Sequence, residues 1–270
     1  MGNIQSFTEI IDTYTPTESE SLEILPFCHT TTAGFAVNIV LSKHAIPMHC
    51  GEYKEDLLYL FYGKASYLID DKLYDYTDNP PITFIFDSDT VKKNLIKRLL
   101  PFDSGGFLRY KFKNGFLKEN FTYLKPSILK ILAYIKLIYK DHQGYIDEEI
   151  NTDELKTHQD NCLEIKEMIK MYDLAGQGLI PSGPQLYSIE VQFDEKIAFK
   201  PSHIVLPFDA YTSKYWGENF RKDFPDIKIE HYGQKEIIDK KGKALQAGEY
   251  QFLMRNKVNE LMKASIHYKN

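Results

Sequence analysis

Apolar positions along the chain fall into short runs separated by polar and turn-forming stretches. Leu22–His29 reads as a buried strand, and Thr30–Ser42 as a helix with a threonine cap and apolar residues at Phe35, Ile39 and Val40. Leu57–Ile69 (LLYLFYGKASYLI) predicts a strand that breaks at Gly63 and resumes. Ile82–Phe86 follows a Pro-Pro pair as another strand, and Ile96–Phe102 runs into an Asp103-Ser104-Gly105-Gly106 turn. The middle changes period: Ile128, Leu129, Leu132, Ile135 and Ile138 recur at helical spacing within Lys125–Lys140, and Thr152–Met171 is a second, more charged helical candidate. Strand patterns return at Leu186–Phe193, His203–Pro207 and Asp226–Tyr232, with helices at Ser213–Asp223 and Glu249–Ile266.

This order predicts an α+β fold with a split, mostly antiparallel sheet and a helical insertion at about residues 118–175. Residues 1–21 read as a short helix and a polar Thr/Ser/Glu stretch, a mobile or loosely packed lead-in to one domain over 22–270. Regular βαβ alternation and glycine fingerprints for dinucleotides or phosphates are missing, which argues against Rossmann and P-loop folds.

Composition narrows the class. Among 270 residues, 43% are hydrophobic and 14% aromatic, with 19 Tyr and 17 Phe, too rich for a disordered chain. The net charge of −5 disfavours a globally basic nucleic-acid surface, and the lysine-rich runs Lys92–Arg98 and Lys235–Lys243 read as solvated faces. Apolar runs fall short of the roughly 18 residues of a membrane span. Three cysteines, Cys28, Cys50 and Cys162, form neither a disulfide framework nor a zinc motif, and a reducing cytoplasm is the simplest setting. His44, His49 and Cys50 lack metal-site spacing, and Pro47 interrupts any helix that would align them. The start Met1-Gly2-Asn3-Ile4-Gln5-Ser6 matches a myristoylation pattern and reads as an ordinary start, with no secretory signal pattern.

Three elements carry candidate chemistry. His29-Thr30 lies where a strand gives way to a helix. Tyr59, Tyr62 and Tyr67 surround Gly63 in the aromatic strand, within a crowd of tyrosines between residues 53 and 76. In Leu186–Phe193, alternation places Tyr187, Ile189, Val191 and Phe193 on one face and Ser188, Glu190 and Gln192 on the other, a face that is either solvent or cleft. Each has a plainer reading: a structural histidine, core tyrosines, a solvated strand face. The Asp103-Ser104-Gly105 segment reads equally as a second polar site or a plain turn.

The order His-Thr, helix, aromatic strand and late Ser-Ile-Glu-Val resembles the His–Tyr–Glu class of ADP-ribosyltransferases, the diphtheria-toxin and poly(ADP-ribose) polymerase group. The chain is also similar, over much of residues 27–210, to a set of bacterial proteins carrying His-Thr, Leu-Tyr-Leu-Phe-Tyr-Gly, Pro-Phe-Asp-Ser-Gly and Ile-Glu-Val-Gln blocks. The resemblance implies a sheet of the ADP-ribosyltransferase type and NAD as substrate. Glu190, His29 and Tyr62 would form the catalytic set. His29 and Thr30 would meet the nicotinamide-side ribose, and Tyr62 and Tyr67 would flank the ring, with Tyr59 as the alternative. Gly63, Lys64 and Ser188 would complete the cofactor contacts. Glu190 would bind the ribose 2′-OH and stabilise the oxocarbenium-like centre. The bacterial set favours Arg-Pro where this chain has Lys64-Ala65, and no basic residue stands in the Pro181-Ser182-Gly183-Pro184 stretch before the glutamate. The implied acceptor is a macromolecule, protein or nucleic acid, in a bacterial toxin or antiviral defence role, with a neutralising antitoxin protein as partner. The alternatives are an NAD glycohydrolase and a catalytically degenerate nucleotide-binding or interaction module.

Overall fold

A capping box opens the first helix: the Ser6 hydroxyl accepts from the Glu9 N–H, and the Glu9 carboxylate accepts from the Ser6 N–H. From this start, the computed structural model describes residues 4–17, 23–66, 80–91, 95–110, 112, 115–208, 216, 218–233 and 247–267. Tyr67, the lysine-rich run 235–243 and the start of the helix expected at Ser213 lie outside the described residues.

Up to residue 94 the helices are α1 (Phe7–Tyr14), α2 (Ala33–Ser42) and α3 (Ser88–Val91), and the strands are β1 (Phe27–Thr32), β2 (His44–Ala45), β3 (Met48–Cys50), β4 (Glu55–Tyr62) and β5 (Pro81–Phe86). The middle holds β6 (Arg98–Leu100), a 3-10 segment (Ser104–Tyr110), β7 (Tyr123–Leu124), α4 (Leu129–Tyr134) with a π-helical turn (Ile135–Tyr139), α5 (His142–Asp147), α6 (Thr152–His158), α7 (Leu163–Gly176) and β8 (Glu190–Phe193). Then come β9 (Ile197–Ala198), β10 (His203–Pro207), α8 (Glu218–Asp223), β11 (Lys228–Tyr232) and α9 (Ala247–His267). The fold is mixed α and β with a mostly antiparallel open sheet. Among the described residues, no helix is long and apolar enough to cross a membrane.

The chain divides into two compact units, one made of Met1–Ile24 and Leu95–Phe193, the other of Leu25–Asn94 and Asp194–Asn270.

In the second unit the strand order is β11-β10-β5-β1-β4, with β3 also on β4. Only the β10–β11 pair is parallel among the described pairs of this unit. Antiparallel partners share a face, so the pairs Phe27–Tyr62 and His29–Phe84 place these four residues together. Phe84 meets Phe199 edge-on at 5.1 Å on that face. Thr30 and Thr83 point to the opposite face, their hydroxyls 2.8 Å apart, with Thr83 donating to Met254 of α9. Helix α9 covers β5, β10 and β11 and buries Met254, Val258 and Met262.

In the first unit β6 pairs antiparallel with both β7 and β8. The expected loose lead-in is instead a packed helix: α1 lies on α4 and α7 and buries Phe7, Ile10 and Ile11. Lys130 and Tyr123 donate to Asp12, while Tyr14 donates to Glu154 and pairs with His158 at 2.7 Å. Asp12, Tyr14 and Thr15 thus fasten its end.

Two expected elements are shorter than their patterns. Leu186 and Tyr187 give their N–H groups to Gly183 and Pro184 in turns, so only Glu190–Phe193 joins the sheet. The two prolines and the glycine at 181–184 fix that bend. The single helix read over Thr152–Met171 is two, α6 and α7, interrupted at residues 159–162. The helices that follow β6 and the 3-10 segment run from Lys118 to Gly176, and the compact unit that holds them also takes in the flanking strands and the N-terminal helix.

Candidate functional site

Strand β8 opens on Glu190, directly opposite Leu100 of β6, and Gln192 lies opposite Arg98. Ser188, Glu190 and Gln192 share a face as their alternation requires, yet that face is not solvent: all three are at most 1% exposed. The glutamate therefore needs internal partners. Its first comes from 86 residues earlier. The Ser104 N–H donates to Oε2 at 2.9 Å, and the Ser104 hydroxyl lies 2.8 Å from Oε1 and 3.1 Å from Oε2. Gln192 Nε2 donates to Oε1 at 2.5 Å, while its own Oε1 accepts from Arg98 at 3.2 Å. An arginine thus reaches Glu190 through an intervening amide.

The Asp103-Ser104-Gly105 turn is not a separate polar site. It begins the 3-10 segment that delivers Ser104 to Glu190. Asp103 gives its N–H to the Gln185 carbonyl and accepts the Gly105 N–H on Oδ1, and the Tyr110 hydroxyl donates to the Asp103 carbonyl. Tyr110 needs Gly106 beside it, because a Cβ there would stand 2.2 Å from the tyrosine oxygen. Burial pushes the Glu190 carboxyl up to about 8, with the neighbouring Asp103 charge adding to it and the Gln192 and Ser104 hydrogen bonds opposing it. Glu190 thus holds a proton near neutral pH and can act as an acid as well as an anion.

His29 belongs to the second unit. Its Nδ1 lies 2.9 Å from the Tyr59 carbonyl. A carbonyl only accepts, so Nδ1 carries the proton, and neutral His29 keeps its lone pair on Nε2. Burial lowers its pKa, against the Tyr59 bond that raises it, which favours this neutral form. The residue as a whole is half-buried.

The other expected residues are built into the fold. Tyr62 is fully buried, accepts the Leu25 N–H on its hydroxyl at 2.8 Å and packs edge-on to Phe27. It presents no face to a flat ring. Thr30 faces the Thr83–Met254 core, away from His29. Tyr59 is half-buried and donates to Cys50. Gly63 adopts φ 58° and gives its N–H to the Pro26 carbonyl where β4 breaks off, as expected; the expected resumption is not present at residues 64–66 and otherwise lies outside the described residues. Lys64 is buried, and the Ser188 hydroxyl is spent on the Pro184 carbonyl. His49 faces Asp56 at 3.4 Å on the exposed β3–β4 hairpin. Among the described residues, no group of three His, Cys, Asp or Glu is placed to hold a metal.

Ser104, Gln192 and Arg98 were not singled out as partners of Glu190. The polar face shared by residues 190 and 192 was the available signal for Gln192, whereas Ser104 and Arg98 come from distant segments. No protein-family profile, curated protein or solved structure matches the chain.

Proposed function

We propose that the chain cleaves the N-glycosidic bond of NAD and transfers ADP-ribose to a macromolecular acceptor, on a sheet of the ADP-ribosyltransferase type. In this reaction the bond from ribose C1 to the nicotinamide nitrogen breaks. Nicotinamide leaves with the electron pair, and the acceptor nucleophile bonds to C1 and gives up a proton. The observation that carries the reading is Glu190: a carboxyl held by Ser104 and Gln192 at the start of β8, where the resemblance calls for one. The pyridinium charge of NAD and the cation forming at C1 both favour ionised Glu190 and offset the burial that keeps it protonated. In the second unit, the neutral His29 tautomer leaves Nε2 able to accept from a hydroxyl, as the resemblance asks of this residue. Tyr62 and Thr30 take no part in it. A cytoplasmic setting and a neutralising protein partner belong to the same proposal.

The test is incubation with NAD labelled on the adenylate and with cell extract. Labelled macromolecule is expected with the wild type and is reduced at least 100-fold in Glu190→Gln, in line with loss of a charge-stabilising group. Nicotinamide release without labelled macromolecule identifies a hydrolase instead.

One observation favours a second, non-catalytic reading: Glu190 is engaged by its own neighbours and almost completely buried. On that reading the wild type neither labels a macromolecule nor releases nicotinamide from NAD.

A further inference from the structure

We propose that Ser104 is the positioning residue of the candidate site, dividing the Glu190 carboxyl into a fixed oxygen, Oε1, and a working oxygen, Oε2. The inference deepens the proposed function and rests on it for the word working. The hydrogen-bond assignment behind it stands independently.

A carboxylate oxygen offers about two lone-pair positions. Both on Oε1 are taken, one by the Ser104 hydroxyl at 2.8 Å and one by Gln192 Nε2 at 2.5 Å. Oε2 receives the Ser104 N–H at 2.9 Å, and the same hydroxyl only at a longer 3.1 Å. A hydroxyl has one hydrogen, so its stronger contact assigns that hydrogen to Oε1. One position on Oε2 therefore stays open for the carboxyl proton or, when the group is ionised, for a ribose hydroxyl. The clamp is bidentate: one residue holds both oxygens through its main chain and its side chain, which stops the carboxyl from rotating. Glu190 itself is on a paired strand, which fixes its backbone.

Three features keep Ser104 in place. The Asp103 N–H is bonded to Gln185, the Gly105 N–H closes onto the Asp103 carboxylate, and the Gly106 N–H bonds the Asp103 carbonyl. Ser104 is 3% exposed, so solvent does not compete for its hydroxyl. The charged and titratable groups around the carboxyl are Asp103 in the turn, Arg98 on β6 acting through Gln192, and Tyr110 on the 3-10 segment. None of them donates directly to Glu190 in the described contacts, which leaves Ser104 and Gln192 as its donors.

The experiment compares wild type, Ser104→Ala, Ser104→Thr and Gln192→Leu by 13C NMR titration of the glutamate carboxyls. The Glu190 signal is assigned by its loss in Glu190→Gln. Removing the serine hydroxyl takes away one donor to the ionised form, so the Glu190 midpoint is expected to rise by about one pH unit. Threonine restores it, and Gln192→Leu raises it in the same direction. An unchanged midpoint in both Ser104→Ala and Gln192→Leu, with native near-UV circular dichroism, overturns the assignment. In labelled-NAD assays Ser104→Ala is expected to lower kcat at least 10-fold with KM within twofold, and Ser104→Thr to recover it. If the wild type transfers nothing while the titration behaves as expected, the functional reading fails and the hydrogen-bond assignment stands. If transfer occurs and Ser104→Ala leaves kcat unchanged, the positioning role fails and the activity stands.

Discussion

Glu190 concentrates the energetic tension of the first unit in one side chain. Its donors favour the anion, and its burial and the Asp103 charge favour the acid, with the balance shifted from 4.5 to about 8. Folding thus binds the Glu190 proton more tightly than the unfolded chain does. The resulting stability is complete below about pH 4.5 and is lost as pH rises through about 8. Glu190→Gln cannot ionise, so its stability relative to wild type is expected to improve over that window by a few kcal/mol and then level off. Urea melts at a series of pH values check this, and a pH-independent difference between the two proteins overturns it. The alternation of β8 was legible at this scale: Ser188, Glu190 and Gln192 do share one face. What covers that face was not, because a period of two encodes a side and carries no information about a partner 86 residues away. Tyr62 failed for a related reason. An aromatic residue beside a glycine reads the same whether its ring lines a slot or closes the core, and here Leu25 and Phe27 take it up.

At the level of elements, strong apolar periods located α2, β4, β5, β10 and α9 within a few residues, whereas β1 starts five residues later than read and runs on through His29 and Thr30 to Thr32. Boundaries failed where local chemistry outweighed the pattern, as in the turns at residues 183–187 that shorten β8. Helix α1 is the instructive element. Its eight residues are too few to hold a helix alone in water. A short helix was readable there, and its docking site, spread over residues 118–176, was not. Ile10 on this helix is 1% exposed. Ile10→Ala is expected to cost about 2–5 kcal/mol in chemical denaturation. A loss below about 0.5 kcal/mol, usual for an exposed position, shows the helix to be a dispensable lead-in.

On the scale of the whole molecule the two units are interleaved along the chain, and each takes residues from two separated stretches. A fragment 95–193 keeps β6–β8 but lacks the helix that covers α4. It is expected to melt without a cooperative transition, while the same fragment fused through a short glycine-serine linker to residues 4–24 melts cooperatively. Equal, cooperative melting of both fragments by circular dichroism refutes the division. The interleaving also sets a timetable for synthesis on the ribosome. Helix α1 emerges early and finds α4 only after more than a hundred further residues have been added, and β5 waits as long again for β10. Apolar faces stay uncovered through much of translation, and a chain released before residue 193 contains neither a finished second unit nor a complete β8 strand. Truncated products of this protein are therefore candidates for chaperone capture rather than sources of a partial activity.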